Sequence, residues 1–161
     1  MITNNIKLVV MDVDGTLTDG GIYLTANGDE FKKFDARDGL AIGILEKNGI
    51  KTALLSHAKT PAVVERRAKM LNTSFCYAGQ ESKAKILAGW LAESGISAEE
   101  VLYFGDDLND LDVMEMAGIV ACPQNAAAPV KKIADYICDR SGGEAAFREL
   151  AEFYWPQLFG L

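Results

Sequence analysis

The chain has 161 residues, 49% of them hydrophobic and 24% charged, a length and balance that fit one globular domain with its own core and exclude a disordered chain. Sixteen basic against 23 acidic residues leave a net charge of −7. That balance excludes a basic nucleic-acid-binding face, although a metal ion or a few local cations can still hold an anionic ligand.

In chain order, residues 6–13 (IKLVVMDV) read as a buried strand. Residues 22–25 and 30–34 flank Ala26-Asn27-Gly28-Asp29 and read as a hairpin turning on Asn-Gly. A helix over 37–47, stopped by Asn48-Gly49, leads into a core strand over 51–55. A helix over 60–71 has Pro61 in its first turn. Then come a strand at 74–77, a helix at 82–94, a strand at Val101–Phe104 and a helix at 109–117. Short strands at 119–121 and 136–138 flank a weak helix at 126–133, and a last helix covers 144–153. Strands alternating with helices imply right-handed crossovers and an α/β three-layer Rossmann-like sandwich around a central parallel sheet, a single domain over residues 1–161.

No apolar run approaches the ~20 residues of a membrane span, and the opening Met-Ile-Thr-Asn-Asn lacks the features of a signal peptide. Cys76, Cys122 and Cys138 are odd in number, widely spaced and set in apolar surroundings. They read as buried free thiols, and a cytoplasmic location with no membrane or nucleic-acid partner is expected.

In a parallel sheet, ligands gather at the carboxyl ends of the strands. The first strand runs into Asp12-Val13-Asp14-Gly15-Thr16-Leu17-Thr18-Asp19, the second ends in Ser56-His57, Lys83 follows the third, and the fourth ends in Gly105-Asp106-Asp107-Leu108-Asn109-Asp110. Two carboxylates two residues apart at the end of an apolar strand need a counter-ion if they are buried. Carboxylates, a hydroxyl and an amine at one edge suit phosphoryl transfer. One carboxylate attacks, a hard cation such as Mg²⁺ neutralises charge, a second carboxylate shuttles the proton, and hydroxyl and amine hold the phosphoryl oxygens.

Asp12-x-Asp14-Gly15-Thr16-Leu17-Thr18, Ser56, Lys83 and Gly105-Asp106-Asp107-x-x-Asp110 resemble the four motifs of the haloacid dehalogenase superfamily. Leu17 to Tyr23, Phe34-Asp35-Ala36-Arg37-Asp38-Gly39 and the tail from Ser141 to Glu149 resemble its capless branch, which acts on phosphorylated sugar acids. The resemblance implies a β-hairpin flap with no cap domain and a homotetramer in which a neighbouring subunit closes each site. The 19–37 interval, too short for a cap, agrees.

The same resemblance implies roles. Asp12 is nucleophile and Mg²⁺ ligand; Asp14 is general acid/base, with its backbone carbonyl on the metal; Asp106 is a direct metal ligand. Asp107 and Asp110 orient the metal's water and Lys83. Ser56 and Lys83 grip phosphate, and Arg37 reaches the substrate or its carboxylate. The second motif departs from the branch, which has Thr-Gly then Arg or Glu where this chain has Ser56-His57-Ala58. His57 reads as a local contact or substrate-side residue, because Mg²⁺ prefers oxygen. Lys59, Arg66 and Arg67 read as a solvated or subunit-facing face, Gly142-Gly143 as a flexible turn or a mobile tail, and residues 158–161 as a frayed end or, the reading favoured, an apolar arm in a subunit contact.

Within that resemblance the Arg37-Asp38-Gly39 stretch leans towards 3-deoxy-D-manno-octulosonate 8-phosphate, the substrate expected, while the 59–67 helix and Ala58 in place of an arginine lean towards the alternative, 2-keto-3-deoxynononate or N-acetylneuraminate 9-phosphate. A non-catalytic oligomerisation module is the alternative outside catalysis. A signalling receiver is disfavoured, because Tyr77-Ala78-Gly79-Gln80 lacks the phospho-accepting aspartate.

Overall fold

The computed structural model describes residues 5–161; the opening segment read for a targeting signal falls largely in residues 1–4, outside the described residues. Six strands, β1 (Leu8–Met11), β4 (Lys51–Ser56), β5 (Phe75–Ala78), β6 (Val101–Phe104), β7 (Ile119–Cys122) and β8 (Tyr136–Ile137), form one parallel sheet in the order β5-β4-β1-β6-β7-β8. All four side chains of β1 and of β6 are buried, as expected where helices cover both faces. Alternation along the strands sorts them into two cores. Val9, Met11, Leu54, Leu102 and Phe104 pack against α1 (Ala36–Lys47), α2 (Ala62–Leu71) and α6 (Ala146–Tyr154). Leu8, Val10, Leu55, Val101 and Tyr103 pack against α3 (Lys83–Ser94), α4 (Leu111–Met114) and α5 (Ala128–Ile133). Each fully buried large side chain, such as Phe147 or Leu87, contributes about 1.5–3 kcal/mol.

Local chemistry sets the boundaries. Asp35 caps α1 by accepting from the Arg37 N–H at 2.8 Å, and Ser82 caps α3 through the Lys85 N–H at 3.3 Å. The hairpin is β2 (Tyr23–Leu24) against β3 (Glu30–Phe31), with Tyr23 opposite and stacked on Phe31, and one further bridge pairs Thr18 with Phe34. No cap domain interrupts the chain among the described residues.

Several expectations are corrected. The helix expected at 109–117 is a 3-10 turn at Leu108–Asp110 followed by the single turn of α4. The Asp110 side chain bends back to accept the N–H groups of Asp106 and Asp107, at 3.1 and 3.3 Å, which tightens the turn. The last helix begins at Ala146 rather than 144, after Ala145 in a left-handed conformation (φ 65). Cys122 and Cys138 are buried, but Cys76 is exposed on the edge strand β5, and all three thiols are free. Arg67 turns inward from α2, with its guanidinium 5.0 Å from the Phe34 ring centroid, instead of joining Arg66 in solvent.

Gly142-Gly143 is a close-packed brace. A Cβ at Gly142 would lie 2.0 Å from the Gly15 carbonyl oxygen, and one at Gly143 would lie 2.4 Å from the Asp19 nitrogen. Leu158 and Phe159 pack on the chain's own core, and the Arg148 guanidinium lies 4.7 Å from the Phe159 ring centroid.

Candidate active site

The chain builds β4 and β5 on one side of β1, then returns to build β6, β7 and β8 on the other. The carboxyl ends of β1 and β6 therefore flank the crevice at this topological switch, where ligands bind in open parallel sheets. Asp12 directly follows β1, its N–H donating to the Phe104 carbonyl at 2.9 Å, and Asp106 follows β6 by two residues. Ser56 ends β4, and Lys83 begins α3.

Lys83 ties the two loops together. Its Nζ donates to Asp12 Oδ1 at 2.6 Å and to Asp110 Oδ1 at 2.7 Å, with all three side chains at most 7% exposed. Asp110 Oδ1 also accepts from the Tyr103 hydroxyl at 2.6 Å. Thr16 Oγ1 donates to Asp106 Oδ1 at 2.9 Å and stands 3.4 Å from Asp12 Oδ2. Gly15 lies between these loops with φ +83, and a Cβ there would sit 2.2 Å from Asp106 Oδ2. Only glycine combines that dihedral with that approach. Asp107 caps the 3-10 turn through the Leu108 N–H at 2.7 Å rather than contacting Lys83.

Burial, followed by the charge of Asp110, pushes the Asp12 carboxyl well above the usual carboxylate range, with Lys83 pulling the other way. Asp106 is raised as well, mainly by burial. Burial alone would lower the Lys83 ammonium, but Asp12 and Asp110 outweigh it and hold it above its usual value. Burial and the Asp110 carboxylate keep the Tyr103 phenol protonated.

Three carboxylates against one ammonium leave excess negative charge in a buried place. Asp12, Asp106 and Asp110 each offer a carboxylate oxygen within 4.8 Å of the others. Lys83, Tyr103 and two backbone N–H groups already occupy Asp110. Asp12 and Asp106 therefore keep the available oxygens. This all-oxygen donor set and its surplus charge fit a hard divalent cation such as Mg²⁺.

Ser56 Oγ is buried with no hydrogen-bond partner among the described residues. Its loop is pinned to the segment before Lys83: the Gly79 N–H donates to the Ser56 carbonyl at 3.1 Å, and His57 Nε2 lies 2.8 Å from the Glu81 carbonyl. His57 is thus a local contact. The Asp14 side chain leaves the cluster. It is 46% exposed and pairs with Lys32 at 2.6 Å. Arg37 is not brought to the cluster either. It pairs with Asp35 at 2.8 Å and lines a cavity of about 470 Å³ with Arg140, Arg148 and Glu152, which contains none of the cluster residues.

Sequence reasoning missed Thr16 as a positioning group, Tyr103 and Lys32. Thr16 lies inside the first motif. A tyrosine in an otherwise aliphatic buried strand, Val101-Leu102-Tyr103-Phe104, is a usable signal because its hydroxyl needs a partner. Nothing local marks Lys32.

The signature of the haloacid dehalogenase-like hydrolases matches residues 76–147. The 3-deoxy-D-manno-octulosonate 8-phosphate phosphatase of Haemophilus influenzae is 36% identical over 148 residues, which are 92% of this chain and 82% of that protein. A crystal structure of the enzyme of that name from Moraxella catarrhalis, in complex with magnesium, phosphate and KDO, is 37% identical with a TM-score of 0.90, covering 95% of this chain and 87% of that one. A probable YrbI family phosphatase from Pseudomonas syringae pv. phaseolica is 42% identical with a TM-score of 0.92, covering 98% and 89%.

Proposed function

The chain belongs to the haloacid dehalogenase-like hydrolases, and on that premise we propose that it hydrolyses 3-deoxy-D-manno-octulosonate 8-phosphate through an aspartyl-phosphate on Asp12. It is a phosphatase, and its cofactor is Mg²⁺.

In this proposal an Asp12 oxygen attacks phosphorus while the bond to the sugar oxygen breaks and Asp14 gives that oxygen a proton. Asp14 then takes a proton from a water that attacks phosphorus, which releases phosphate and restores Asp12. Asp12, Asp106 and the Asp14 backbone carbonyl would hold Mg²⁺. When bound, the ion offsets the repulsion between the phosphate dianion and the attacking carboxylate. Lys83 and the unpartnered Ser56 hydroxyl hold the phosphoryl oxygens, and Asp110 and Tyr103 keep the Lys83 ammonium in place.

The observation that carries this reading is the buried Asp12, 2.6 Å from Lys83 and within 4.8 Å of an Asp106 oxygen. In the test, Asp12→Asn abolishes turnover and the trapped phosphoenzyme while the fold is kept; wild-type turnover in that variant overturns the assignment. Parallel kinetics on the octulosonate 8-phosphate and the nonulosonate 9-phosphates decide the substrate, and a higher kcat/KM on a 9-phosphate overturns the choice.

One hydrolase domain, a homotetramer and a cytoplasmic location belong to the same proposal. The hairpin supports assembly: Ile22, Leu24 and Phe31 are 78%, 62% and 55% exposed, an apolar surface that a neighbouring subunit would cover. Light scattering measures this directly, and a monomer refutes it. The free thiols are in keeping with a reducing compartment, and no described helix is long and apolar enough to cross a membrane.

A further inference from the structure

We propose that Lys32 is a positioning residue for Asp14, and that through Glu30 and Thr60 it locks the orientation of that proton donor to the seat of the hairpin. The inference rests on the role given to Asp14 above. Asp14 follows the nucleophile by two residues, in a loop that turns at Gly15, and its half-exposed side chain would otherwise sample several rotamers. Among the described residues, its carboxylate has one partner, the Lys32 ammonium at 2.6 Å.

Lys32 comes from a different element, just after β3, and its own side chain is only 7% exposed. A second contact fixes it, to Glu30 Oε1 at 2.8 Å. The other oxygen of Glu30 accepts from the Thr60 hydroxyl at 2.5 Å, on the segment between β4 and α2 that also follows Ser56. Four side chains thus run from the catalytic loop, across the hairpin, to the loop that follows the phosphate-binding hydroxyl.

A proton donor works only when held close to the leaving oxygen, so geometry lost at Lys32 reduces the contribution of Asp14 without touching Asp12, Lys83 or Asp106. This separates a positioning role from a structural one. The loss must grow with the basicity of the leaving group. An alkoxide needs a proton as it departs, whereas nitrophenolate leaves without one.

The test is rapid-quench measurement of the single-turnover rate of Asp12 phosphorylation, with the sugar-acid phosphate and with p-nitrophenyl phosphate. For Lys32→Met, the expected loss is about 10- to 100-fold on the alkyl ester and below about 3-fold on the nitrophenyl ester, part of the 10²–10⁴ that a positioned acid provides. Lys32→Arg restores most of the alkyl-ester rate, and Glu30→Gln shows the same leaving-group pattern at smaller size. Equal losses on both esters in Lys32→Met, while Asp14→Asn still discriminates between them, overturn the inference and leave the reading of Asp14 standing. Equal losses on both esters in Asp14→Asn overturn the reading of Asp14 itself.

Discussion

Replacing Lys83 by methionine keeps most of the side-chain volume and removes the cation that two buried carboxylates share. The Lys83, Asp12 and Asp110 side chains are 2%, 7% and 0% exposed, so water cannot take over from the lost ammonium. Removing one partner of a buried ion pair costs about 3–5 kcal/mol. Two contacts, at 2.6 and 2.7 Å, are lost here. Asp12, already pushed toward its neutral form, relieves part of the cost by taking up a proton. The lower end of the range is therefore the floor. For a domain of this size, about 2–4 °C of melting temperature accompanies each kcal/mol, which gives a fall of roughly 6–20 °C. The assay is thermal unfolding in EDTA at pH 8 and again at pH 5, where easier protonation of the carboxylates shrinks the difference. A fall below about 3 °C at pH 8 would refute the view that this ammonium neutralises the cluster.

Asp38 is buried at the junction of α1 and α6, accepting the Arg148 N–H at 2.9 Å, with its other oxygen unpartnered among the described residues. Burial pushes it up to about 7; the Arg148 N–H, Arg37 and Arg67 oppose that and Asp35 adds to it. A folded-state value above the unfolded one means stability present at low pH and lost as pH rises from about 4 to about 7, amounting to roughly 4 kcal/mol. Asp38→Asn should match the parent near pH 4 and exceed it at pH 8 in urea titrations. Ser56→Ala should weaken competitive inhibition by inorganic phosphate about 10-fold or more, as expected for a hydrogen bond to a charged group, with the melting temperature unchanged or slightly raised. Ala145→Gly should stabilise the fold by up to about 1 kcal/mol in denaturant titration, since the left-handed backbone costs alanine about 1–2 kcal/mol and glycine's extra chain entropy returns part of that.

The layered sheet was legible because its strands are short apolar runs between helical segments, and because Asp12, Ser56, Lys83 and Asp106 each come at or after the end of a strand in chain order. What the sequence hid was long-range. The pairing of Asp14 with Lys32 spans 18 positions and joins a loop to a hairpin with no shared periodicity. Asp110 looked like a helical residue, but its carboxylate folds back onto the Asp106 and Asp107 N–H groups, a local tertiary demand that overrides the helical pattern. Arg37 sits in a stretch with a strong family likeness, yet its guanidinium is captured two residues away by Asp35, a short-range pairing that motif order does not encode.

The glycine brace at residues 142 and 143 rests on the loop that follows β1. The loop that carries Asp12 and Asp14 is therefore closed by a segment more than a hundred positions further along the chain. Any side chain at residue 142 or 143 would push against the backbone at Gly15 or Asp19, so a substitution far from the carboxylates in sequence displaces the turn beside them.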